Sequence, residues 1–151
     1  GVSQMFLTHR DDVADHNAFV EKFAAARIMH AADGAKSLGV ERVIEDEEAV
    51  KLDDELTAIP VPGHTRGSQA LLYKNKFLFT GDHLAWSPRR KSLTAFRSVA
   101  WYSWEKQTRS MQKLLEYDFE WVLPGHGHIA QRSKQEMREH LTDCIEWMKR
   151  A

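Results

Sequence analysis

A single cysteine, Cys144, stands in the 151 residues, so the chain cannot form an intrachain disulfide or build a zinc site from several thiolates. Such sparing use of cysteine fits a reducing, cytoplasmic compartment. No stretch approaches the roughly 18–20 consecutive apolar residues that a bilayer span requires, so no membrane partner is expected. Neither sign of charge dominates: 21 basic side chains stand against 22 acidic ones. Without a global positive field, nucleic acid is not an expected partner either. The chain is 42% hydrophobic and 28% charged, with no repeat, low-complexity tract or linker, which describes one globular domain over 1–151, with a small-molecule substrate or a protein as the expected partner. It opens on Gly1 rather than Met and has no charged-then-apolar leader, so the natural start is expected upstream.

The pattern of apolar residues predicts a first strand over 2–8, a polar turn over 9–14 and a helix over 15–26. That helix is capped by Asp15, with Phe19, Val20 and Phe23 on its apolar face. Short strands follow at 27–29, 42–44 and 56–60, and the acidic run Glu45-Asp46-Glu47-Glu48 reads as a solvated turn. Residues 68–73 and 76–80 flank Lys74-Asn75 as a β-hairpin. From 85 to 98 no period is visible, and Pro88-Arg89-Arg90-Lys91 marks an exposed loop. A helix over 101–117 and a buried strand over 119–123 come next, with Trp101, Tyr102 and Trp104 expected in the core or at its seam. The final helix opens on the capping box Ser133-x-x-Glu136 and turns Met137, Leu141, Cys144, Ile145 and Met148 inward. Strands interleaved with helices predict an α+β domain in which helices pack on sheets.

Eight histidines are many for this length, and chemistry-bearing residues gather in four loops at strand ends. These are His9-Arg10-Asp11-Asp12-Val13-Ala14-Asp15-His16, Pro62-Gly63-His64-Thr65-Arg66-Gly67-Ser68, Thr80-Gly81-Asp82-His83, and Leu123-Pro124-Gly125-His126-Gly127. Imidazole suits zinc and iron, and carboxylates can bridge two cations. A site lacking thiolate usually keeps a position open for water, so this is the donor inventory of a catalytic centre rather than a structural one. His83 could support the site or simply be buried, and His128 is a candidate substrate contact. His30 and His140 read as ordinary structural histidines.

The four segments, in this order and over the whole chain, resemble the metallo-β-lactamase superfamily of metal-dependent hydrolases, in particular its glyoxalase-like branch. The resemblance implies a four-layer αββα sandwich, of which most of the first half-sheet is missing, because only eight residues precede the first motif. An apolar sheet face would then lie uncovered unless a companion N-terminal segment or a second copy of the chain replaces those strands. It also implies two zinc ions per chain, with iron or manganese as alternatives. His9 and His64 would hold the first metal; Asp15, His16 and His126 the second; and Asp82 would bridge them. The first motif departs from the family. Aspartate follows His9 by six positions, two more than in the family, and Asp11 stands where a second histidine belongs. Asp11 or Asp12 could supply an oxygen to the first metal, making that site harder, or both could merely cap the turn; Asp11 is the favoured ligand.

The implied activity is hydrolysis of a small ester, thioester or lactone by a metal-bound hydroxide at a dinuclear site, with Asp15 orienting the water. Were the Arg89-Arg90-Lys91 loop to face the site, an anionic substrate would be favoured. Two other readings stay open: a mononuclear iron oxidoreductase of persulfide-dioxygenase type, and a non-catalytic metal-binding module.

Overall fold

The computed structural model describes the backbone of all 151 residues and every side chain except that of Asp12. Three parallel strands, β1 (Gln4–Phe6), β2 (Ala26–His30) and β3 (Arg42–Ile44), form a first sheet in the order β1-β2-β3. The crossover from β1 to β2 carries a 3-10 turn, Arg10–Asp12, and helix α1 (His16–Phe23). Six strands form the second sheet: β4 (Val50–Lys51), β5 (Leu56–Pro60), β6 (Gln69–Tyr73), β7 (Phe77–Gly81), β10 (Trp121–Pro124) and β11 (Ala130–Gln131), in the order β11-β10-β7-β6-β5-β4. Only β10 and β7 are parallel in it. A small hairpin of β8 (Ala85–Ser87) and β9 (Ser92–Thr94) and the helices α2 (Trp104–Lys113) and α3 (Lys134–Arg150) complete an α+β fold.

Period-two alternation decides the layers. In the first sheet Phe6, Ile28 and Ile44 pack with Ala58 and Val50 of the second sheet. Their neighbours Met5, Met29 and Val43 face the other way, onto Val13 and the segment carrying Ala35, Leu38 and Val40. In the second sheet Ile59, Ala70, Leu72, Leu78 and Val122 pack against Met111 of α2 and against Met137, Leu141, Cys144, Ile145 and Met148 of α3. The capping box is made as the sequence predicts: Glu136 N–H donates to Ser133 Oγ and Ser133 N–H to Glu136 Oε2. The hairpin at Lys74-Asn75 turns on two left-handed residues, φ 54° and 47°, the twist-compatible geometry of a two-residue β-turn.

Three expectations are corrected. Residues 85–98 hold the β8–β9 hairpin; strands of three residues are too short to show a period, yet Ser92, Leu93 and Thr94 are all buried. Phe19 and Phe23 are exposed, so the apolar face of α1 is not buried by the described residues. Trp101 and Tyr102 are exposed rather than packed in a core or seam, while Trp104 is half-buried with its indole N–H donating to Met148 O.

The inner face of the second sheet is only partly covered. Its register aligns Ala58, Leu71, Phe79 and Leu123 in one row and Leu56, Tyr73, Phe77 and Trp121 in the next. The first sheet covers Ala58, whereas Phe79 remains 40% exposed and Tyr73, Phe77 and Trp121 stack into a half-exposed aromatic row. An apolar face of this kind predicts that the folded chain binds the dye ANS, and that Phe79→Ser weakens the fluorescence gain at unchanged far-ultraviolet dichroism. Equal dye binding by the variant would place the dye elsewhere.

One buried carboxylate ties two loops across the sheets. Asp33 Oδ2 accepts from Arg10 N–H (3.0 Å) and from the Thr65 hydroxyl, and its Oδ1 accepts from Gly67 N–H (2.6 Å). A Cβ at position 67 would stand 2.7 Å from Asp33, so only glycine lets the two loops approach this closely. Asp33→Ala would leave the buried Gly67 N–H without an acceptor and remove the shared partner of Arg10 and Thr65, and is expected to cost about 2–4 kcal/mol in urea unfolding. A loss below about 1 kcal/mol would show that other contacts hold the loops.

Candidate metal centre

Each of the four histidine- and aspartate-bearing loops begins where a strand ends, and three bring a donor to one point. Thr8, just past β1, accepts from Gln69 N–H through its carbonyl oxygen, which sets His9 beside the end of β7. Thr8 Oγ1 lies 2.9 Å from His9 Nδ1 and can accept its hydrogen, which leaves the Nε2 lone pair for the centre. His64 sits in the β5–β6 loop, and its Nδ1–H donates to the backbone oxygen of Val99 at 2.5 Å. That bond fixes the tautomer and again turns Nε2 inward. Both rings are buried, 4.7 Å apart and edge-on. Asp82 follows Gly81, whose φ of +51° and close approach to Thr8 exclude a side chain at 81.

Asp82 Oδ2 is 3.5 Å from His9 Nε2 and 3.6 Å from His64 Nε2, and the three donor atoms lie within 4.8 Å of one another. Donors around a tetrahedral zinc with ligand distances of about 2.1 Å stand roughly 3.4 Å apart, so the set fits a divalent cation. His64 Nε2 is buried and makes no hydrogen bond among the described residues, as a ligating nitrogen would be in the absence of its ion. Burial pushes the Asp82 pKa upward, but its interactions with His9 and His126 outweigh it and hold the carboxyl at about 2. Asp82 is therefore ionised throughout the neutral range.

Around this triad the other sequence candidates divide. Asp11 Oδ2 is 3.6 Å from His64 Nε2, within the same neighbourhood. His126 Nδ1 is 2.8 Å from Asp82 Oδ1; since the carboxylate only accepts, the ring hydrogen is on Nδ1. His126 is 70% exposed, so the centre opens on its side. The Asp12 carboxylate lies outside the described residues.

Asp15 and His16 are placed differently. Asp15 is exposed at the N-cap of α1 and makes no side-chain cap bond. His16 is buried with Nδ1 2.9 Å from an Arg27 guanidinium nitrogen. Arginine can only donate, so Nδ1 accepts and the ring hydrogen sits on Nε2, leaving no lone pair for a cation in this arrangement. Arg27 is itself held by Glu41, whose carboxyl is drawn down to about 2 by hydrogen bonds from the Arg27 side chain and backbone.

The remaining histidines have structural surroundings. His83 is buried, and burial above all presses its pKa down to about 3, so the ring is neutral. His30 accepts from Ala32 N–H and reaches Asp46 O, and His140 stands by Ser92 Oγ and the edge of Trp86. The carbonyl of exposed His128 accepts from Trp86 N–H. Arg90 stacks on Trp147 and pairs with Asp143 of α3, so its charge is spent on that helix. Burial pushes the Cys144 thiol up to about 12, which leaves it inert as a nucleophile or ligand. Sequence reasoning missed Asp33, the Val99 carbonyl and Trp101, whose ring lies 4.9 Å from that of His64. None of these carries a local signal, because each acts on residues more than 20 positions away or through its backbone alone.

No protein-family profile matches the chain, and no curated protein matches it at a significant level. Solved structures do. The B3 metallo-β-lactamase BLEG-1 is 18% identical over 97% of this chain and 77% of its own, with a TM-score of 0.69. ETHE1 from Myxococcus xanthus is 20% identical over 97% of this chain and 68% of its own, at 0.65. TTHA1623 in a di-iron-bound form is 23% identical over 85% of this chain and 71% of its own, at 0.58. This chain therefore has the fold of the metallo-β-lactamases, and its histidine–aspartate cluster stands at the strand ends of that fold.

Proposed function

We propose that the chain is a metal-dependent hydrolase of small esters, thioesters or lactones, with its cation held by His9, His64 and Asp82 and with Asp11 as a further oxygen donor. The observation that carries this reading is the convergence of two buried imidazole nitrogens and one ionised carboxylate on a common point, each ring anchored through its other nitrogen. Three protein donors with room for a further ligand is the usual make-up of a catalytic rather than a structural cation site. A divalent ion bound there supplies Lewis acidity to a substrate carbonyl and brings the pKa of a coordinated water from 15.7 down to about 7.

The chain's own residues do the rest. His64, pinned by Val99, and His9, beside Thr8, keep their Nε2 atoms aimed without having to reorganise. Asp82 carries the compensating negative charge and fixes His126 through its Oδ1, so that this ring is held at the open side with its hydrogen on Nδ1. His126 and Asp82 offer the start of a second cation position. Asp15 and His16 complete it only if His16 leaves Arg27. Zinc suits the two imidazoles, and the added Asp11 oxygen makes iron or manganese acceptable. The di-iron-bound form of TTHA1623, a protein of similar fold, supports iron as the alternative to zinc.

A second reading rests on the same triad. Two histidines and one carboxylate with open positions are also the donor set of mononuclear iron oxygenases, so an iron-dependent oxidoreductase is the alternative. Metal titration followed by elemental analysis separates the two. Zinc binding with hydrolysis of a thioester, ester and lactone panel supports the first; one iron per chain with oxygen uptake and no hydrolysis supports the second. In either case His64→Ala is expected to weaken cation binding by about 100-fold or more, while His16→Ala lowers thermal stability and leaves the affinity of the first cation within about 3-fold. An unchanged affinity in His64→Ala would remove the proposed site.

A further inference from the structure

Among the described residues, eight large apolar side chains are exposed, and three of them, Phe96, Trp101 and Tyr102, belong to the short segment that wraps around the candidate centre. Phe96 is 41% exposed and lies against Gly127: its ring edge stands 3.7 Å from where a Cβ at 127 would be, next to His126. Trp101 is 59% exposed and its ring lies over His64, with 4.9 Å between centroids and 36° between planes. Between them, Val99 offers the carbonyl that orients His64, and Tyr102 N–H returns to the carbonyls of Gly63 and His64. One segment thus links the loop of His64 to the loop of His126 and carries an aromatic ring at each end.

Leaving two aromatic rings in water beside a cluster of polar donors forgoes their burial energy. Of the nearby basic residues, Arg90 is engaged on α3 through Trp147 and Asp143, and the Arg97 guanidinium sits over Trp104, while Arg89 and Lys91 are exposed. From the two exposed rings we infer that Phe96 and Trp101 form an apolar subsite, and that the substrates are esters or thioesters whose acyl group is aromatic or similarly bulky and apolar. The inference rests on reading the cluster as a hydrolytic centre, and names the substrate class of that site.

Binding probes without a scissile bond keep its test separate from the test of hydrolysis. N-methylphenylacetamide, N-methylacetamide and N-methylsuccinamate are titrated into the full chain, metal-free and zinc-loaded, with ligand-observed saturation-transfer NMR as the readout. The aryl probe is expected to bind at least tenfold more tightly than either of the others. Trp101→Ala and Phe96→Ala are each expected to weaken it about tenfold, and Trp101→Phe to retain most of the affinity. Both rings are exposed, and unchanged far-ultraviolet dichroism confirms that the variants fold. The inference is overturned if the aryl probe binds no better than the acetamide, if the succinamate binds best, or if both alanine variants bind the aryl probe as the parent does. A chain that binds the aryl probe in this pattern but hydrolyses nothing upholds the subsite and refutes the hydrolase reading.

Discussion

Two buried imidazoles can point their lone pairs at one carboxylate only if each gives its other nitrogen to a fixed neighbour. That requirement organises the functional end of this molecule. His9 meets it within its own loop, through the adjacent Thr8 hydroxyl, and His64 meets it across 35 residues, through the Val99 carbonyl. Neither bond would hold its ring if the loops could slide, and Asp33 prevents sliding by accepting hydrogen bonds from both at once. The glycines at 67 and 81 belong to the same constraint: they are where backbone must pass within contact distance of Asp33 or Thr8.

Imidazole that is not held this way goes elsewhere. His16, one of the most motif-like residues in the sequence, is captured by an arginine that is itself clamped by Glu41, and the direction of that hydrogen bond decides which ring nitrogen keeps its proton. Chemically identical side chains thus keep their hydrogens on opposite ring nitrogens. The contrast with His64 is instructive, since both are buried and both have one nitrogen engaged. A carbonyl acceptor frees a lone pair on the far side of the ring, and a guanidinium donor removes it.

The fold has an asymmetry of its own. The helix-facing side of the six-stranded sheet is filled from Ile59 to Val122, whereas its other side is covered by the first sheet only along the β5 edge. The neighbouring folds are longer than this chain, which spans 68–77% of the three compared. Within the described residues the site is nevertheless assembled, because its donors come from loops that the two sheets and Asp33 already bring together.

The sequence by itself determined the elements whose signals are local: the capping box that starts α3 and the inward stripe along that helix, the Lys74-Asn75 hairpin, and the donor types at the ends of strands. It also singled out His9, His64 and Asp82, whose donor atoms lie within 4.8 Å of one another, together with Asp11 beside His64 and His126 beside Asp82. Only the tertiary structure decided that His16 faces Arg27, that Asp33 joins two loops, that Trp101 lies over His64 and that residues 85–94 pair as a hairpin. The physical reason is range. Caps, turns and periodicity act over a few residues, whereas the orientation of a ring nitrogen or the burial of a carboxylate is settled by partners tens of residues away, whose positions exist only once the sheets have packed.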